Sequence, residues 1–162
     1  MAAVSTLISR LLAVRLPHQG EEEYHGELQI GIAVERSFTV THELTAAALM
    51  ARDVPEAGGL PVVWSTPDMI GKMEVVSAAL VAPLLAAGQM TVGTRNEVSH
   101  LAATPTGMSV RVRSTLTAID GRKLTFTVEA FDEKERVGEG THIRYIVERA
   151  KFEARLADKA KK

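Results

Sequence analysis

The period of the apolar positions changes along the chain, and the changes divide it. Val4, Leu7, Ile8, Leu11 and Leu12 follow the i, i+3, i+4, i+7, i+8 stripe of an amphipathic helix. Residues 17–27 are polar and hold Pro17, Gly20 and Glu21-Glu22-Glu23, so they read as a linker, with a folded domain starting near Leu28. Gly31 to Val40 predicts a first strand, Thr45 to Ala51 a short alanine-rich helix, and Pro55, Gly58, Gly59 and Pro61 a loop. From Thr66 to about Ala87 the residues are nearly all apolar or small. This predicts a long helix, buried on most sides and stopped at Gly88. Thr66 suits its N-cap, Pro67 its first position and Asp68 its first turn.

The period then falls to two. Met90 to Leu101 predicts a strand and Thr104-Pro105-Thr106-Gly107 a turn. Met108, Val110, Val112, Leu116 and Ala118 alternate with Ser109, Arg111, Arg113, Thr115 and Thr117, as in a strand with one buried face. Asp120-Gly121 signals a hairpin, after which Leu124, Phe126, Val128 and Ala130 resume the alternation. Asp132 to Arg136 is a charged turn, Val137 to Val147 a last strand, and Glu148 to Lys162 a surface helix. The expected architecture is α+β: one strand, a long central helix, then four strands in an antiparallel meander curved around it. Three segments follow: an N-terminal extension over 1–27, a domain over 28–150 and a C-terminal helical tail over 151–162.

The 162 residues suit one domain, and 46% hydrophobic content is enough to bury a core. With 19 basic and 20 acidic residues the net charge is −1, which argues against a general nucleic-acid binder. The absence of cysteine excludes disulfides and thiolate metal sites, and no apolar run is long enough to span a membrane. Residues 1–20 carry Arg10 and Arg15 with Ser5, Thr6 and Ser9 and no acidic residue. That composition fits a transit peptide to the mitochondrial matrix; without one, a cytoplasmic protein is expected.

Candidate chemistry centres on the long helix. Between Asp68 and Gly88 only Lys72 and Glu74 are charged, and they point about 200° apart around it. Lys72 can pair with Asp68 on an exposed face. Glu74 then projects from the other side, partly buried or facing a cavity. Burial favours a carboxylate's neutral form, which suits a base or nucleophile working near neutrality; a paired structural carboxylate is the plainer alternative. Thr66 is explained as a cap, yet a helix N-terminus also gathers N–H groups that can hold an oxyanion. His100 ends a candidate strand, where a lone histidine is more often structural. The five histidines form no HxH or HxxxH pair, so no metal site is expected. A GxSxG elbow and a phosphate loop are both absent, and Gly138-x-Gly140 lies in a strand with no helix after it.

Two stretches bring a family into view: Trp64-Ser65-Thr66-Pro67-Asp68-Met69-Ile70-Gly71-Lys72-Met73-Glu74, and Val98-Ser99-His100-Leu101-Ala102-Ala103-Thr104-Pro105-Thr106-Gly107. With Gly138-x-Gly140-Thr141-His142-x-Arg144, they resemble the fluoroacetyl-CoA thioesterase-like family over roughly residues 32–155. The resemblance implies a hotdog fold and a homodimer with active sites at the dimer interface. It implies a catalytic group of Thr66, Glu74 and His100, a glycine near the thioester at Gly93 and a substrate-contacting Arg144. The substrate would be an acyl-CoA that brings its own CoA, so no cofactor is implied. Leu60 stands where the family's fluoroacetyl-specific members place a phenylalanine lid, and Pro67 and Asp68 replace small and aromatic residues. These departures point away from fluoroacetyl specificity and toward another short or medium acyl group. Two alternatives remain open at this level: a non-catalytic acyl-CoA-binding or sensing module, and a hydratase, for which the helix lacks a histidine.

Overall fold

A computed structural model describes residues 27–161. The amphipathic N-terminal stripe, its transit reading and residues 17–26 of the linker lie outside the described residues. Five strands form one antiparallel sheet: β1 (Ala33–Thr39), β2 (Gln89–His100), β3 (Ser109–Asp120), β4 (Lys123–Phe131) and β5 (Arg136–Glu148). Helix α1 (Ala46–Asp53) precedes the central helix α2 (Thr66–Val81), and α3 (Arg149–Ala160) follows β5. No described helix is long and apolar enough to cross a membrane.

The core lies between α2 and the concave face of the sheet. Met69, Met73, Val76, Ser77, Leu80 and Val81 form the buried stripe of the helix. They meet Val110, Val112 and Leu116 of β3 and Leu124, Phe126, Val128 and Ala130 of β4, all at or near zero exposure. One polar pair crosses this apolar layer. Ser77 Oγ donates to the Met73 carbonyl at 2.7 Å, so Ser114 Oγ, also 2.7 Å away, donates to Ser77. Ser114 occupies an inward position of β3 between Val112 and Leu116, and its hydroxyl fixes the helix against the strand at one height.

Several sequence expectations are corrected. Of the expected four-strand meander only β3-β4-β5 is sequential, because the sheet order is β1-β3-β4-β5-β2. β2 lies on the outer side of β5, and glycine permits it: a Cβ at Gly140 would collide with the backbone of Glu97 and Val98. Helix α2 ends at Val81 rather than near Ala87. Pro83 supplies no N–H and disrupts the α-helical ladder, leaving a 3-10 turn at Ala82–Leu84. α2 is buried along one stripe and half-buried over much of the rest, with Thr66, Pro67 and Val75 exposed. One sheet covers one stripe, and Val75 remains 59% exposed. Ala118 is exposed, because a bulge between Leu116 and Ala118 breaks the alternation of β3. Lys72 does pair with Asp68 at 2.8 Å, but its face is not open: its Nζ lies 5.0 Å from the centre of the Phe38 ring.

The serine pair makes a checkable claim. Ser77→Ala alone leaves the Ser114 hydroxyl buried without its acceptor and is expected to cost about 1–3 kcal/mol in denaturant unfolding. Adding Ser114→Ala should recover most of that loss, because both partners are then apolar.

Candidate active site

Polar groups collect at two places along α2. The first is its N-terminus. Ser65, not Thr66, is the N-cap: its Oγ accepts from Asp68 N at 3.3 Å. This relieves Thr66 of the capping role. Its hydroxyl instead lies 2.8 Å from His100 Nδ1, at the far end of β2. Pro67 has no N–H and that of Asp68 is committed to the cap, so among the described residues the Thr66 amide is the first-turn donor without a partner. Buried Trp64 packs edge-on to the His100 ring at a centroid distance of 6.3 Å and donates from Nε1 to Asp68 at 2.6 Å. Asp68 is thereby tied to both Trp64 and Lys72, which removes it as the acid that a hydratase would need. Burial holds the His100 imidazole below its ordinary value of 6.5, against the opposing effect of the Ala102 carbonyl, so the ring is neutral at neutral pH. A cleft of about 620 Å³ opens here, lined by Thr66 and His100 on one side and by Leu49, Leu60, Pro61 and Val63 on another.

The second place lies about 12 Å further along the helix axis, two turns on, at Glu74. Asn96 Nδ2 of β2 donates to Glu74 Oε1 at 2.7 Å. Gly93 faces the same carboxylate: a Cβ there would stand 3.3 Å from Glu74 Oε1 and 3.1 Å from His142 Cε1. Beneath lie Arg144 and His142 of β5, both buried. Arg144 donates from Nε to Thr91 Oγ1 at 2.8 Å, from Nη2 to the Thr91 carbonyl at 2.9 Å and from Nη1 to the Glu74 carbonyl at 3.4 Å. Its Nη1 is also 3.1 Å from His142 Nε2. His142 Nδ1 faces the Arg95 carbonyl at 3.1 Å, which only accepts. The ring therefore carries its proton on Nδ1 and receives the guanidinium on Nε2. Burial, assisted by Arg144, holds His142 below 6.5, opposed by the Arg95 carbonyl and by Glu74. Burial also lowers Arg144 from its ordinary value, with Glu74 opposing.

The residues expected to act together are thus divided within one chain. Thr66 and His100 are hydrogen-bonded, with Leu60 on the wall of their cleft. Glu74, Gly93 and Arg144 form the other group.

Comparison with known proteins identifies the scaffold. Residues 40–150 match the family described as FlK, fluoroacetyl-CoA-specific thioesterase. The fluoroacetyl-CoA thioesterase of Streptantibioticus cattleyicolor is 34% identical over 132 residues, covering 82% of this chain and 94% of that one. The chain belongs to the fluoroacetyl-CoA-specific thioesterase family. A crystal structure of a point variant of FlK superposes with a TM-score of 0.77 at 33% identity, covering 83% of this chain and 99% of that chain. A Thermus thermophilus member of the thioesterase superfamily gives 0.73 at 29% identity, over 81% and 94% of the two chains. A hot-dog-like protein from Thermanaerovibrio acidaminovorans, 22% identical with a TM-score of 0.71, shares the fold over 82% and 93%. The chain is therefore an acyl-CoA thioesterase, a thioester hydrolase on the hotdog scaffold.

Sequence reasoning missed three polar residues of this thioesterase. Asn96, His142 and Thr91 all gather around Glu74 in the middle of α2. Asn96 and Thr91 lie in a strand to which the sequence pattern assigns no inward face, and His142 enters only as one residue of the Gly138–Arg144 pattern, without a role. The cap itself was readable: Ser65-x-x-Asp68 has the spacing of a capping box.

Two depressed histidines give the thioesterase a pH signature. As pH falls through about 6.5 the unfolded chain takes up protons that the folded chain refuses, so stability is complete above that value and is lost below it. Tm is expected to stay level from about pH 8 to 7 and to fall toward pH 5. In His142→Asn the fall should be shallower. Superimposable Tm–pH curves for the two proteins would exclude His142 as a source.

Proposed function

We propose that the enzyme hydrolyses a short or medium acyl-CoA to free acid and CoA, using Thr66, His100 and Glu74 together. The observation that carries this reading is the 2.8 Å contact between Thr66 Oγ1 and His100 Nδ1 at the mouth of a cleft. The Thr66 amide and hydroxyl suit a thioester oxygen on which charge develops. A neutral His100 orients water or passes a proton. Glu74 acts as base toward water or attacks the carbonyl itself. On either route the acyl–sulfur bond breaks, water supplies the new oxygen of the acid, and the sulfur leaves as the thiol of CoA. The substrate brings CoA with it, so no cofactor enters. Gly93 leaves room for the thioester beside Glu74. Arg144 has most of its donors engaged by the protein, so its part in substrate contact runs mainly through holding Glu74 in place. The Streptantibioticus cattleyicolor relative is named for fluoroacetyl-CoA; Leu60, on the cleft wall here, supports a different acyl preference.

The reading includes a homodimer that shares its sites between copies. β2 is a twelve-residue edge strand paired on one side only, and a long open edge is a template for a second strand. Val75, beside Glu74, is exposed on the adjoining helix face. Antiparallel pairing of two β2 edges centred between Asn96 and Glu97, toward the His100 end of the strand, sets the Gly93–Asn96 stretch of one copy against the Glu97–His100 stretch of the other. Glu74 of one copy then approaches Thr66 and His100 of the other, closing the gap that separates them within one chain. We place this enzyme in the cytoplasm, where acyl-CoA substrates circulate.

Thiol release from an acyl-CoA panel tests the activity. Glu74→Gln should lower kcat by about 10²–10⁴-fold; equal rates would remove Glu74 from the chemistry, and binding without thiol release would favour a sensing module. Sharing is tested by co-expressing Glu74→Gln with His100→Ala. Shared sites give each mixed dimer one intact set, restoring about a quarter of wild-type turnover under random pairing. Sites confined to one chain would stay inactive in every combination.

A further inference from the structure

We infer that Asn96 is a positioning residue of the hydrolysis, holding the Glu74 carboxylate in a single orientation so that Oε2 is the oxygen left to react. The inference rests on reading Glu74 as a reacting group. In a regular strand, residues 93 and 96 would face opposite sides of the sheet. β2 has a register shift between Gly93 and Arg95, leaving Thr94 outside the ladder, and its hydroxyl bonds to the Ile143 carbonyl. The extra residue returns Asn96 to the face that Gly93 occupies. As a result, both the space above Gly93 and the amide of Asn96 meet the same carboxylate oxygen.

A carboxylate only accepts, so Asn96 Nδ2 faces Glu74 and Oδ1 faces away. Oδ1 is buried and has no hydrogen-bond partner. With His100 Nε2 it is one of the two buried side-chain polar atoms so left among the described residues. An asparagine selected for stability would sit where both ends are satisfied, because a buried, unpaired carbonyl is destabilising. One selected to aim its neighbour tolerates the loss. The other groups facing Glu74 come from β5. Arg144 reaches the Glu74 backbone carbonyl rather than its carboxylate, and neutral His142 is occupied by Arg95 and Arg144. The described hydrogen bonds give the Glu74 carboxylate one donor, the Asn96 amide.

Asn96→Leu keeps the approximate volume while removing both the donor and the unpaired oxygen. The expected result is a kcat lower by about 10–100-fold, a KM within about two-fold and a Tm equal to or above wild type. The acidic limb of the kcat–pH profile should move to higher pH, because the charged form of Glu74 loses a donor. Asn96→Asp, which puts a second carboxylate against the first, should move that limb further. A wild-type kcat and pH profile in Asn96→Leu overturns the proposal. So does a kcat that falls only as Tm falls, with the limb unmoved. Glu74→Gln separates the levels: if it is inactive while Asn96→Leu is wild type, Asn96 alone is misassigned, whereas an active Glu74→Gln defeats the reading on which it rests.

Discussion

A guanidinium buried between a helix and two strands has to be matched on every side, and the inner face of this protein is arranged around that requirement. Arg144 reaches Thr91 of β2, the Glu74 carbonyl of α2 and His142 of its own strand. Removing a charge from water is expensive unless hydrogen bonds and an opposite charge replace the solvent. Thr91 and the helix carbonyl supply the first, and Glu74 supplies the second. The same requirement fixes His142. A protonated ring beside Arg144 would place two cations together in the core, so the imidazole stays neutral and accepts. The Phe126 ring stacks against it with centroids 6.1 Å apart and planes inclined by 30°. The chain thus holds Glu74 by its backbone from below and by its carboxylate from β2.

The same packing separates the two polar groups of the site. α2 lies along the sheet with its N-terminus at the His100 end of β2 and Glu74 beside Gly93 and Asn96. A helix rises about 1.5 Å per residue, so eight residues set Thr66 and Glu74 well beyond contact. No side-chain rotamer bridges that span. Proximity in sequence along a helix therefore works against a single-chain group, while an edge strand able to pair with its own copy works for a shared one.

Much of the fold could be read from periodicity. The alternation Leu124, Phe126, Val128, Ala130 is the buried face of β4, and Asp120-Gly121 opens the hairpin that precedes it. Strand order could not be read, because β2 joins β5 across the sheet through close backbone approach at Gly140, and a glycine in a strand has no single meaning in a sequence. The end of α2 was marked by Pro83, which the apolar run around it concealed. For the site, Glu74 was visible because it is the one acid of α2 beyond the first turn and conflicts with its apolar surroundings. Asn96 was not visible, and His142 appeared only as one residue of the Gly138–Arg144 pattern, without a role. Both lie in strands, and Asn96 faces the helix only through a bulge that the sequence does not announce.

At the start of α2, capping the helix and facing the cleft fall to different residues. Ser65 and Thr66 are adjacent hydroxyl residues, and either is chemically able to cap a helix. With Asp68 three residues after it, Ser65 completes the cap and leaves Thr66 in the helix with its hydroxyl unclaimed by the backbone. Pro67 then removes one competing donor from the first turn. Each choice agrees with helix formation, yet together they leave one amide and one hydroxyl directed at His100 and the cleft. The unpaired Nε2 of His100 lies on the other side of the same ring. Among the described residues the two buried side-chain polar atoms without a partner both lie on one edge strand, beside the two polar groups of α2, so the unmet hydrogen-bonding capacity sits where chemistry can use it.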